Sequence, residues 1–316
     1  MTASPAYGFD DDPATRRLLR SRPPRAGLVW AGAAAGGQVL SARPLRGGLS
    51  SAVHELTIRS AAAATIRGGA AAPVRRVVLR RYVRHELDAE EPDLVMREAR
   101  ALQFVSALDL PTPEVLAVDP TGAEAGAPAL LMTRLPGRVE WSPADLERWL
   151  QRLAAVLAPI HRAAPPPPAV VRRYAPYRQH SYQTPAWARW PAVWERAVQI
   201  FHGPTPNGPA VFLHRDFHPG NVLWQRGLVT GVVDWQSAAV GPTSVDVGHC
   251  RANLMRYGLD AADRFTAIWE RGGGQRYHPW ADVVTIIGFL DGLRDDPPSD
   301  ALVVEDALAR AVAELG

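Results

Sequence analysis

The chain contains no lysine, so all 35 of its basic residues are arginine. Against 32 acidic residues this leaves a formal charge of only +3, which demands neither nucleic acid nor an anionic membrane surface as a partner. Arginine throughout, beside abundant Ala, Gly and Pro, reads as a bias of the coding DNA rather than a binding adaptation. Cysteine is nearly absent too. Cys250 stands alone, which excludes an intrachain disulfide and suits a reducing cytosol. Beside His249 it reads as a small buried apolar residue, not a reactive thiol. No apolar run is long enough to span a bilayer. Met1 to Asp12 carries acid and lacks an apolar core, so it is not read as a signal peptide. The expectation is a soluble, cytoplasmic protein. What is present is 316 residues, 47% hydrophobic and 21% charged, enough for one large or two modest domains and too apolar for a disordered chain.

The most informative stretch runs from Phe212 to Asp246. Val211-Phe212-Leu213 is an apolar run that delivers a polar loop, in which Asp216 precedes Asn221 by five positions. Val222-Leu223-Trp224 reads as a short strand, Gln225-Arg226-Gly227 as a turn, and Leu228 to Val233 as a second strand ending on Asp234. Such a hairpin would bring Asp216, Asn221 and Asp234 to one end. A carboxylate and an amide oxygen are hard ligands suited to Mg²⁺, which binds through few protein oxygens plus substrate phosphates. A second carboxylate, kept off the metal, can take the proton of a hydroxyl nucleophile. The order His214-Arg215-Asp216-Phe217-His218-Pro219-Gly220-Asn221 has the spacing of the kinase catalytic loop, followed by a metal-binding Asp.

On these residues, with His218-Pro219-Gly220-Asn221 and the Asp234-Trp235 pair, the segment resembles the aminoglycoside phosphotransferase family. The likeness extends from about Leu40 to Leu293 and is loosest outside the hairpin. It implies an α+β, two-lobed, protein-kinase-like fold, with a small, mainly antiparallel β N-lobe carrying one helix and a larger, mostly helical C-lobe. The boundaries read from the sequence are a flexible segment 1–25, a nucleotide-binding N-lobe 26–135 and a catalytic, acceptor-binding C-lobe 136–316.

Along the chain, Pro13 to Arg20 suits a short helix. Val39 to Leu45 and Ala52 to Ile58 read as strands around Arg46-Gly47-Gly48-Leu49-Ser50-Ser51, where Gly47, Gly48 and Ser50 would let backbone N–H groups approach phosphates. Residues 60–73 read as an insertion, and Arg75 to Tyr82 as a buried strand. By the resemblance, Arg80 occupies the position of the kinase lysine, and Glu98, on a helix expected from Glu90 to Ala107, is its ion-pair partner. Arginine keeps the charge but is longer and forked. For Arg81 a solvated strand end is the serious rival reading. Pro128 to Gly137 resembles the last N-lobe strand and the hinge, so Thr133 C=O and Leu135 N–H would hold an adenine edge and Met132 would line its pocket.

In the second half, Ser142 is read as the N-cap of a helix reaching about His161, itself taken as structural. Trp187, Trp190 and Trp194 would share a face if one helix carried them, either toward the core or as a wall for an acceptor, although Pro191 would sooner start a helix. Arg251 to Trp269, Ala281 to Leu293 and Asp300 to Leu315 read as helices. Asp246 is, by resemblance, a carboxylate that fixes the loop through backbone N–H groups.

The implied reaction moves the γ-phosphoryl group of ATP, or another nucleoside triphosphate, to a hydroxyl of a small molecule. Asp216 is the base, Asn221 and Asp234 hold Mg²⁺, and Arg80 with Glu98 anchors phosphates. Only twelve positions separate Asp234 from Asp246, leaving no room for the peptide platform of a protein kinase. The acceptor stays open among aminoglycosides, sugars and amino alcohols, with Glu270, Asp291, Asp295 and Asp296 as candidate acidic contacts. The alternative is a catalytically weak nucleotide-binding scaffold of kinase fold.

Overall fold

The computed structural model describes residues 13–45, 50–61, 73–84, 93–176, 182, 184–289 and 301–316. The chain divides into two compact units. The smaller holds Asp11–Gly137 and Thr230–Gln236; the larger includes Arg138–Val229 and Ser237–Gly316. Gly47, Gly48, Tyr177, Asp291, Asp295 and Asp296 lie outside the described residues.

The smaller unit is built on a five-stranded antiparallel sheet in the order β1-β2-β3-β5-β4: β1 Gly37–Pro44, β2 Ala52–Ser60, β3 Val74–Arg81, β4 Val115–Asp119 and β5 Ala129–Thr133. Two helices precede it, α1 Pro13–Arg20 and α2 Arg25–Ala34, and α3 Leu94–Val105 follows β3. The period of two along β3 sorts its residues by face. Val77 and Leu79 enter a core with Trp30 and Ala31 of α2 and Leu56, Ile58 and Leu131 of the sheet. Arg80 and Tyr82 project the other way and meet Glu98 of α3.

Helix α1 lies where the sequence suggests one, and its Leu19 is buried with Ala52 and Val83. Helix α2 was not anticipated, because Arg25 to Ala34 has only a weak amphipathic stripe and its burial comes from the sheet beneath it. Arg81 does not end in solvent but is buried, with its Cδ 3.7 Å from where a Cβ on Gly27 would lie. Burial pulls that guanidinium below its ordinary value.

The larger unit contains β6 Arg138–Val139, α4 Leu146–Arg162, β7 Arg172–Arg173, α5 Pro191–His202, β8 Val211–Leu213, β9 Val222–Gln225, β11 Ala239–Gly241, α6 Ser244–Leu254, α7 Leu259–Arg271, α8 Trp280–Gly288 and α9 Ala301–Leu315. Strand β10, Leu228–Val232, leads from this unit into the smaller one. Strand β11 pairs parallel with β7 and antiparallel with β8, and β6 pairs with β9. The core gathers Trp194 and Phe201 of α5, Trp280, Val283 and Ile287 of α8, and Val304 and Leu308 of α9. Among the described residues no helix is long and apolar enough to cross a membrane.

Helix α4 is capped by Asp145, whose Oδ1 accepts the Arg148 N–H at 3.0 Å, three residues beyond the expected cap Ser142. The helix expected over Arg251 to Trp269 is broken at Gly258, whose φ of 94° only glycine adopts readily, so α6 and α7 are separate. Pro191 does start α5, so the three tryptophans share no helix face. Trp194 is fully buried and donates Nε1–H to Glu305 at 3.0 Å, Trp187 packs edge-on against it, and Trp190 is stacked under the Arg189 guanidinium. The core reading therefore describes Trp194 and Trp187. Cys250 is buried, and burial pushes its thiol well up.

Candidate active site

In the larger unit the site is a loop held from behind. Strand β8 delivers the chain to His214, and Phe217, fully buried, anchors the following turn. Asp246, in the first turn of α6 and inaccessible to solvent, reaches back to this loop. Its Oδ2 accepts the His214 N–H at 3.0 Å and its Oδ1 the Arg215 N–H at 2.6 Å, while His161 Nε2 lies 2.9 Å from Oδ2. A buried carboxylate is tolerable only when bonded in this way. Arg215 sits at φ 69°, a left-handed conformation that glycine adopts freely and an arginine only at a cost. Its side chain donates to Ala175 C=O at 2.7 Å and lies over Tyr174.

The loop then closes in a single turn of 3₁₀ helix, Pro219–Asn221. His218 caps it, its Nδ1 accepting the Gly220 N–H at 3.1 Å. A Cβ on Gly220 would lie 2.5 Å from His218 Cε1 and 3.2 Å from the Trp141 ring, so only glycine fits. The turn aims Asn221 at Asp216: the amide Nδ2 donates to Asp216 C=O at 2.8 Å and to Oδ2 at 3.1 Å. Asp216 Oδ1 is 2.9 Å from His249 Nε2 of α6 and 3.9 Å from His218 Nε2. Burial alone would raise the Asp216 carboxyl, but the hydrogen bond and charge of His249, with His218 and His214 nearby, hold it well below the usual carboxylate range. At neutral pH it is an anion.

In the smaller unit the centre is Arg80. Its Nη1 donates to Glu98 Oε1 at 2.7 Å and to Asp234 Oδ1 at 2.8 Å, its Nε to Ser51 Oγ at 2.7 Å and its Nη2 to Ser50 Oγ at 3.2 Å. Tyr82 Oη–H donates to the other Glu98 oxygen. Burial pushes the Glu98 carboxyl up against the pull of Arg80. Burial would also make Arg80 easier to deprotonate, but Asp234 and Glu98 hold it firmly cationic. Asp234 follows β10 at φ 69°, supported by Trp235, which is buried and donates Nε1–H to Val232 C=O at 3.0 Å. Ser50 Oγ also accepts from Gln236 Nε2 at 2.9 Å.

Two sets of expected residues are thus each drawn together: Asp216 with Asn221, and Arg80 with Glu98, Ser50 and Asp234. Met132 is buried in β5, Thr133 ends that strand with its N–H on Glu114 C=O at 2.9 Å, and Leu135 follows it. Glu270, a candidate acceptor contact, spends Oε1 on the Tyr277 N–H at 2.7 Å. Sequence reasoning missed Ser51, Tyr82, Gln236 and His249. Only His249 carried a signal, lying three positions after Asp246 and hence on the same helix face.

Each unit carries an oxygen of the kind a hard divalent cation takes. Asn221 turns its nitrogen onto Asp216, which leaves its amide oxygen without a hydrogen-bond donor among the described residues. Asp234 gives only Oδ1 to Arg80. An amide oxygen and a carboxylate oxygen are both hard donors of the kind Mg²⁺ takes.

The phosphotransferase enzyme family (APH) matches residues 62–283, well over half of the chain. No curated protein sequence matches it. Among solved structures, a thermostable mutant of aminoglycoside phosphotransferase APH(4)-Ia, in ternary complex with ADP and hygromycin B, is similar at 19% identity and TM-score 0.58, covering 88% of this chain and 95% of that one. The macrolide 2′-phosphotransferase MphH of Brachybacterium faecium is similar at 20% identity and TM-score 0.52, over 90% and 97% of the two chains. A putative aminoglycoside phosphotransferase from Ralstonia eutropha JMP134 is similar at 16% and 0.54, over 87% and 91%. At these identities the likeness establishes the fold, an α+β fold of the kinase-like kind. The loop geometry, the fold and the family match together place this chain in the phosphotransferase enzyme family, and it is a phosphotransferase.

Proposed function

We propose that the protein transfers the γ-phosphoryl group of ATP, or of another nucleoside triphosphate, to a hydroxyl of a small acceptor. The observation that carries this reading is the Asp216–Asn221 pair: an ionised carboxylate held by one amide nitrogen, with the amide oxygen left for a cation. The ADP, AMP-PNP and hygromycin B in complexes of APH(4)-Ia support a nucleotide donor and a hydroxyl-bearing acceptor.

In this reading Asp216 orients the acceptor hydroxyl and receives its proton as the acceptor oxygen bonds to phosphorus and the bond to the nucleoside diphosphate breaks. Asn221 Oδ1 and the Asp234 oxygen not engaged by Arg80 would hold Mg²⁺, which would supply charge neutralisation on the phosphates. Arg80, with Glu98 behind it, presents fixed positive charge from β3; its Nη2 keeps one N–H beyond the bond to Ser50 for a phosphate oxygen. Ser50 would lie against the phosphates, and Met132, Thr133 and Leu135 would receive the base. Catalysis of this kind is mainly positioning and electrostatic stabilisation. Asp216→Asn is expected to lower turnover of Mg-ATP by about 10²–10⁴-fold, the worth of a positioned general base, with AMP-PNP binding retained. Undiminished turnover in that variant would remove Asp216 from the role.

A further inference from the structure

From the geometry around Asp216 we infer that His249 is a positioning residue for the reaction: its Nε2–H fixes the Asp216 carboxylate in the orientation that receives the acceptor proton. The inference rests on the reading of Asp216 as the base and adds a residue to it. An ionised carboxylate only accepts hydrogen bonds, so at 2.9 Å from Oδ1 the Nε2 atom of His249 must carry the proton. The other oxygen, Oδ2, takes the Asn221 amide at 3.1 Å. Each oxygen therefore has one fixed donor and keeps one lone pair. Rotation about the Cβ–Cγ bond would break both bonds, so the lone pairs stay aimed. During transfer the acceptor proton passes to an Asp216 oxygen, the bridging oxygen leaves with the nucleoside diphosphate, the Nε2 proton stays on His249, and no other protein group changes charge.

The surroundings hold the imidazole itself in place. His249 lies on α6 three residues after Asp246, so one helix face grips the loop twice, at the backbone of His214 and Arg215 and at the carboxylate of Asp216. Phe289 packs edge-on against the His249 ring at 5.2 Å, and the His218 ring lies 5.5 Å away. The Asn253 side chain bonds His249 C=O at 3.0 Å, one turn further along α6.

Asp216, His218 and His249 also form the kind of cluster that can hold a metal, their ligand atoms lying within 4.8 Å of one another. The tautomers oppose it. The Gly220 N–H donates to His218 Nδ1, which puts the proton of the neutral ring on Nε2, the atom that faces Asp216. His249 likewise turns a protonated nitrogen inward. Both rings would have to give up the protons their hydrogen bonds specify.

The test uses the full chain, with Mg-ATP hydrolysis as the assay and water standing in for the acceptor. His249→Leu and His249→Asn, whose amide is too short to reach Oδ1, are expected to lower kcat about 10–100-fold, with KM for ATP within about threefold. His249→Gln places an amide N–H near the site of Nε2 and should recover kcat to within about threefold of the parent. In ¹⁵N spectra of the histidines, the signal assigned by its loss in His249→Gln should be that of a ring protonated at Nε2, and it should change in Asp216→Ala. Parent-like kcat in the Leu and Asn variants, beside an inactive Asp216→Asn, would overturn the role of His249 and leave Asp216 as the base. Parent-like kcat in Asp216→Asn would overturn the base assignment instead. A His249 ring bare at Nε2 would overturn the pairing, whatever the rates.

Discussion

Arg80 shows how one substitution changes the work of a position. A lysine there would offer a point charge; the fork of arginine reaches four partners at once, two carboxylates and two serine hydroxyls. Removing it strands Glu98, which is 1% exposed, as an uncompensated buried acid. Arg80→Met is expected to cost about 3–5 kcal/mol of stability, read as a fall in the denaturant midpoint at unchanged m-value. Arg80→Lys keeps the charge and should lose far less. Asp234 and Arg215 are the other instructive residues, both at φ 69° without being glycine. Neither conformation can be read from its side chain, because the surrounding hydrogen bonds impose it.

Helix α6 links the elements of the larger unit. Asp246 and His249 face the loop, and on another side Gly248 lies so close to α8 that a Cβ there would come within 2.8 Å of Ala281 Cβ and 2.9 Å of its backbone. Backbone cannot yield as a flexible side chain does. Gly248→Ala is therefore expected to destabilise by about 1–3 kcal/mol through overpacking, measured by thermal unfolding. The spacing of Asp246 and His249 was legible in the sequence, but the partner of His249 was not, since it depends on where β8 ends in space. The same holds for α2, whose burial is supplied by the sheet, and for the cap at Asp145, where Ser142 offered an equally good local signal.

For the whole molecule, carboxylates held low in the fold predict its behaviour in acid, Asp119 and Glu305 beside Asp216. Burial works against the Asp119 carboxylate, but the N–H groups of Gly122, Glu124 and Ala125 outweigh it and hold its pKa low. Burial likewise works against Glu305, but Arg189, Trp190 and Trp194 hold it low. A carboxyl whose folded pKa lies below its unfolded one contributes stability that is complete above the unfolded value and fades as pH falls toward the folded value. Tm is expected to fall steadily below about pH 4, and Asp119→Asn should flatten that fall while lowering Tm at pH 7. An acid limb unchanged in the variant would exclude Asp119 as a contributor.

Local chemistry was enough to announce the Asp216–Asn221 loop, the Asp234 that follows it and the period-two alternation that turns Arg80 away from Val77 and Leu79. Spacing and side-chain type are written into adjacent residues, and a short turn or strand converts them directly into direction. The hold of His249 on Asp216, the partners of Arg80 beyond Glu98 and the division of the three tryptophans arose only on folding. Each joins groups far apart along the chain, and such contacts are settled by packing and by the need of every buried polar atom for a partner.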